Sequence, residues 1–86
     1  MKNAEKNHLA RVASLPCMVC GARPVEIHHV RRYGSKRDNF KTVPLCVECH
    51  RGDRGIHGMG KKRFEREVML QDDMLAKTEW MLKEAI

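Results

Sequence analysis

Four cysteines stand in the spacing C-x2-C-x25-C-x2-C, at Cys17, Cys20, Cys46 and Cys49, and no other feature limits the fold as tightly. Each CxxC is a tight turn that offers two thiolates from one stretch of backbone. Two such turns supply the four soft ligands of a tetrahedral structural zinc ion. Gly21, directly after the first pair, suits the positive backbone angle that such turns often need. A thioredoxin-like redox role for either CxxC needs a βαβ setting that this sequence does not offer. Length points the same way. A chain of 86 residues is one domain (1–86), near the size at which an apolar core alone gives marginal stability, so a staple is expected. The opening stretch MKNAEKNHLARVAS is polar, and no apolar run approaches the roughly 18 residues of a membrane span. A cytoplasmic protein with no membrane contact is expected, and in a reducing compartment paired cysteines favour metal over disulfide.

The chain reads in three parts that together predict an α+β fold. Residues 3–14 suit a short helix, with Asn3 as N-cap, Ala4, Leu9, Val12 and Ala13 as its apolar face, and Pro16 closing it. The centre, 15–60, is rich in turns around two short apolar runs, VEIHHV and KTVPLC, whose β-branched residues predict a pair of short strands. Residues 61–85 turn helical, with Phe64, Val68, Leu75 and Leu82 on one side and a second row at Met74 and Met81. Asp72 and Asp73 can cap a second helix there, so one helix or two fits. The apolar rows are generous for so small a domain and leave room for a weak homodimer or a partner protein beside the monomer.

The formal charge is +6, with basic clusters RRYGSKR, HRGDRG and GKKRFER flanking the Cys/His region. A polyanionic partner follows as the default. Aromatic residues are too few for a base-stacking platform, so contact through phosphates is expected. Four histidines exceed what a four-cysteine zinc site uses: His28, His29, His50 and His57. Adjacent histidines on a strand point to opposite faces. His50 directly follows a zinc ligand, so zinc at both knuckles brings residues 26–30 near 46–51, where one strand histidine meets His50. The remaining His8 reads as surface or core filler. The glycines of RGDRGIHGMG are expected to let backbone approach a metal or phosphate.

Taken together, Cys17-x2-Cys20, EIHHV, DNF, PLCVECH and His57 resemble the HNH endonucleases, the ββα-metal nuclease family. The phrases LPCMVCG, HHVR, TVPLC, CHRG and IHGMG are similar to those of small phage HNH proteins of the recombination-enhancement (Ref-like) group. The resemblance spans about residues 8–67. It implies a zinc-stapled ββα-metal domain with flanking helices that hydrolyses DNA phosphodiester bonds and is phage or prophage encoded in a bacterial host. By position it implies that His28, His50 and His57 bind a catalytic divalent metal and that His29 is the general base. Asn39 orients that base, although its distance from His50 leaves Asp38 or a backbone carbonyl open for the role. His57, six residues beyond His50 across a glycine-rich interval, would ligate from a loop. The resemblance implies His29, Asn39 and His50 as the catalytic set, with magnesium, manganese, nickel or zinc all compatible with imidazole ligands and open positions. Arg31, Arg32, Lys36, Arg37, Arg51 and Arg54 then become phosphate contacts. No recognition helix with base-directed Asn, Gln and Arg stands out, so weak sequence preference is expected. DNA is the expected partner, with a recombination protein as a further one. The alternative from another class is a non-catalytic zinc-knuckle module that binds nucleic acid or accompanies recombination.

Overall fold

The computed structural model describes residues 2–31 and 36–84 and has a small α+β architecture. Two strands, β1 (Val25–His29) and β2 (Thr42–Cys46), pair antiparallel. Around them lie α1 (Asn3–Ala13), α2 (Val47–Arg51), α3 (Ile56–Met59), α4 (Lys61–Glu67) and α5 (Gln71–Glu84). Among the described residues no helix is long and apolar enough to cross a membrane.

The sheet register sets Val25 opposite Cys46 and His28 opposite Val43. All five β2 residues are buried, because α1, α2 and α5 pack against this strand as well as β1. Pro44 is tolerated in its middle for a local reason. Its carbonyl accepts the Met18 N–H of the first cysteine turn at 3.1 Å, so that edge of the residue faces away from β1 and no ladder bond is lost. Cys17 N–H to Ala22 O at 3.0 Å and Gly21 N–H to Cys17 O at 2.9 Å close the turn, with Gly21 at φ +78° as its position predicts.

At α1 the cap is Lys2, whose backbone N–H donates to the Glu5 carboxylate at 3.3 Å, and Asn3 is already helical. Glu5, three positions inside, thus makes only the return contact of a capping box, and no side chain takes the N-cap role expected of Asn3. The buried face is narrower than the four residues expected: Val12 is buried, Leu15 joins it just past the helix, and Ala4 and Ala13 are exposed. The C-terminal stretch divides into α4 and α5, and the break changes which residues face the core. Val68 is exposed, since the turn at 68–70 resets the helical phase, and the inward row of α5 is Gln71, Met74, Thr78 and Leu82. Leu75 and Met81 are half-buried beside it. Glu65 accepts the Gln71 N–H at 2.9 Å and so caps α5 from α4. Arg11 donates to the Leu82 carbonyl at 2.8 Å, and Lys77 to that of Met18 at 3.2 Å, which ties α5 to α1 and to the first cysteine turn. Val12, Met18, Val43, Leu45, Ile56, Phe64 and Met74 form the centre of the core.

Candidate metal centres

Cys17, Cys20, Cys46 and Cys49 come together with all four sulfurs within 4.8 Å of one another. A tetrahedron of sulfurs each about 2.3 Å from a zinc ion has edges of about 3.8 Å. Cys20 to Cys46 measures 3.6 Å and Cys20 to Cys49 3.8 Å, whereas a disulfide needs about 2.0 Å. The thiols titrate unequally. Burial opposes ionisation of Cys17, but the backbone N–H groups of Cys20, Cys46 and Val19 outweigh it and bring the thiol down to about 7. Burial, reinforced by the Cys46 and Cys17 side chains, pushes Cys49 strongly up. The Cys17 thiolate forms readily, while Cys20 and Cys49 resist a second negative charge. A divalent cation inverts that balance, so the donor set fits a structural metal such as zinc.

The second cluster grows out of the first. Cys46 is the N-cap residue of α2, Cys49 lies in its third position, and His50 follows at once. Opposite, β1 delivers His28, 2 % exposed, and α3 delivers His57. The ring centroids lie 5.3 Å apart for His28–His50, 5.3 Å for His28–His57 and 4.8 Å for His50–His57. One nitrogen from each lies within 4.8 Å of the others, close enough to hold one metal ion. His57 thus comes from a short helix, where a loop was expected. Gly58 brings α3 back. A Cβ there would stand 1.9 Å from the Gly52 carbonyl oxygen, so only glycine lets this backbone close over the end of α2. At Gly58 the close approach is of chain to chain.

Two of the rings are held from behind. His50 Nδ1 lies 2.8 Å from Glu26 Oε1, so it donates there and turns Nε2 toward the cluster. That bond, with Arg51 adding to it, holds the Glu26 carboxyl below the usual range. His28 Nε2 meets Gln71 Oε1 at 2.9 Å, which leaves Nδ1 as its free nitrogen. Burial chiefly, then the charges of His50, His57 and Lys61, lowers His28 to about 4, so its ring stays neutral and able to ligate. Burial, His50 and Lys61 lower His57 too. Glu26 and Gln71 were not singled out by sequence reasoning. A carboxylate two residues before His28 on the same strand, and so on the same face, was the only signal for Glu26, and none marked Gln71.

His29, on the other face of β1, meets a different set. Its Nε2 lies 2.9 Å from Asn39 Oδ1, while Asn39 Nδ2 donates to Glu5 of α1 at 3.3 Å. The amide orientation is therefore determined, and the ring proton belongs on Nε2. The lone pair on Nδ1 accepts from Arg37 Nη2 at 3.1 Å. Asp38 does not reach His29 in this arrangement; its carboxylate accepts the Phe40 N–H at 2.9 Å and shapes the turn.

A cavity of about 310 Å³ gathers these groups, lined by Ile27, His28, His29, Arg31, Arg37, His50, His57 and Lys61. This lining contains three cationic side chains and no carboxylate. Of the six basic residues expected at phosphates, Arg31 and Arg37 line it. Arg51 instead pairs with Glu26 at 2.7 Å and 3.1 Å and so braces the carboxylate that holds His50. Lys36 and Arg54 are exposed and outside the lining, and Arg32 lies outside the described residues. Lys61 joins the cavity although its cluster was noted only for charge. His8 packs against Phe40 at 5.1 Å, with Nε2 buried and without a hydrogen-bond partner. No protein-family model matches the chain, and a comparison with curated proteins finds no significant match. Fold and geometry thus define a small α+β protein with a four-cysteine cluster able to hold zinc.

Proposed function

We propose that the chain is a metal-dependent endonuclease of the HNH class, built on a zinc-stapled ββα-metal domain and acting on DNA phosphodiester bonds. The observation that carries this reading is the pairing of His29 with Asn39 beside three converging histidines, in a cavity whose charged lining is wholly cationic. His28, His50 and His57 would hold the divalent ion. When bound, it supplies Lewis-acid stabilisation of charge on the phosphate and on the leaving 3′ oxygen.

The remaining work falls to side chains. Asn39 keeps the proton of His29 on Nε2, so Nδ1 accepts the proton of the attacking water. The water oxygen bonds to phosphorus, the bond to the 3′ oxygen breaks, that oxygen takes a proton from solvent, and the products carry 5′-phosphate and 3′-hydroxyl ends. Arg37 occupies Nδ1 until an anion arrives. A substrate phosphate draws its guanidinium away and frees the base, while Arg31 and Lys61 hold the same anion. Weak sequence preference follows from contacts of this kind.

Supercoiled plasmid and single-stranded DNA, incubated with magnesium, manganese, nickel, zinc or EDTA, provide the test. Wild type is expected to cut only with metal, and His29→Ala to lose about 100-fold or more in rate while keeping its zinc and its fold. Equal inertness of both proteins with every metal, together with retained DNA binding, would replace the enzyme by a non-catalytic zinc-knuckle module.

A further inference from the structure

The turn that carries Asn39 is held by bonds of its own. Lys41 N–H donates to Asp38 O at 2.9 Å, Thr42 Oγ1 donates to Asn39 O at 3.1 Å, and the Asp38 carboxylate accepts the Phe40 N–H. These bonds fix where Asn39 stands, but they do not choose which end of its amide meets His29. An amide has a donating and an accepting end of nearly the same shape, and turning it over calls the ring proton to the other nitrogen. Helix α1 supplies the missing constraint. Glu5 Oε1 accepts from Asn39 Nδ2 at 3.3 Å, while its Oε2 accepts the Lys2 N–H at 3.3 Å. An ionised carboxylate can only accept, so Nδ2 faces Glu5 and Oδ1 faces His29 Nε2, 2.9 Å away.

We propose that Glu5 is a positioning residue for the cleavage: through Asn39 it keeps the proton of His29 on Nε2 and so leaves Nδ1 bare as the base. This role rests on the nuclease reading for the use made of Nδ1, but not for the bonds that orient the ring. Glu5 lies outside the lining of the histidine cavity, so it acts through Asn39 and not on the substrate. In the empty site Arg37, donating to Nδ1 at 3.1 Å, favours the same tautomer. A substrate phosphate that draws Arg37 away removes that support at the moment the base is needed. The Glu5–Asn39 pair then holds the proton in place during the reaction.

Two substitutions of Glu5 test this, read first in an Arg37→Ala background at about pH 8.5, where an ordinary imidazole is neutral. Glu5→Gln keeps the size of the side chain but offers a donor beside its acceptor, and Glu5→Lys offers donors only. Glutamine and lysine are good helix formers, and Glu5 is half-buried in the first turn of α1, so both variants are expected to fold. Proton–nitrogen correlation spectra of the His29 ring are expected to place its proton on Nε2 in Arg37→Ala. Adding Glu5→Gln is expected to share it between the two nitrogens, and adding Glu5→Lys to move most of it to Nδ1. With Arg37 restored, kcat on plasmid is expected to fall about tenfold in each Glu5 variant without a rise in KM, a part of the roughly 100-fold or more that a general base supplies. A displaced proton with a lowered kcat in either variant supports the role. A proton that stays on Nε2 in both overturns it and leaves the nuclease standing, as does a displaced proton with kcat unchanged. If wild type cuts no DNA with any metal, the nuclease reading falls and takes the base with it, whereas the ring spectra still decide whether Glu5 orients Asn39.

Discussion

Single side chains in this protein act through their second hydrogen bond. Glu26 accepts from His50 at 2.8 Å and takes both donors of Arg51, so one carboxylate fixes the tautomer of a ring in the three-histidine cluster and is itself braced. Such support is worth about 10- to 100-fold in metal affinity where it has been removed from histidine sites. Glu26→Gln keeps the size of the side chain and its acceptor but drops the charge that both partners answer. Titration of the zinc-loaded protein with manganese or cobalt is expected to show affinity at the histidines falling by about tenfold, with zinc still at one per chain. Affinity equal to wild type would mean that His50 is oriented by its packing alone. The Asn39 amide is governed in the same manner, through Glu5 of a helix otherwise read only as packing.

Among the elements, α2 and α3 matter most because the chain between them folds back on itself. Gly58→Ala would drive a methyl into the Gly52 carbonyl, and either α3 lifts or the 52–55 turn deforms. A loss of about 1–3 kcal/mol in urea unfolding is expected, with weakened metal affinity at the histidines because His57 moves with α3. Retained stability and affinity would show that the turn yields freely. What was legible in the sequence follows from local rules. CxxC spacing announces its own cluster, β-branched runs between turns announce β1 and β2, and adjacent histidines on a strand announce two sets of partners. The illegible part consists of contacts between distant positions. Gln71 reaches His28 from 43 residues away and Glu5 reaches Asn39 from 34, and neither side chain differs in kind from any surface polar residue. Arg51 looked like a free cation for the same reason: its partner lies 25 residues earlier. Val68 failed differently, since a helical row extrapolated across 68–70 keeps its phase only if the helix does not break there.

For the whole molecule, the arrangement makes the three-histidine cluster depend on the four-cysteine cluster and not the reverse. The buried apolar core is small and centred behind the sheet, while both cysteine turns anchor β2, α2 and the segment that α5 grips through Lys77. Structural zinc sites of this type contribute on the order of 10–16 kcal/mol of apparent binding free energy, comparable to or larger than the roughly 5–15 kcal/mol net stability of a domain. Stripping zinc with a strong chelator at neutral pH is therefore expected to unfold the chain as a unit. Far-UV circular dichroism would lose its helical signal, and one equivalent of zinc would restore it. Binding of metal at His28, His50 and His57 should vanish in the stripped protein, because His50 is the residue after Cys49 on a helix that Cys46 begins. His28→Ala tests the opposite direction: it is expected to keep one zinc per chain and a cooperative unfolding transition while losing the second metal. A stripped chain that retains its thermal transition would place the stability in the apolar core and sever the dependence of the histidine cluster on the cysteines.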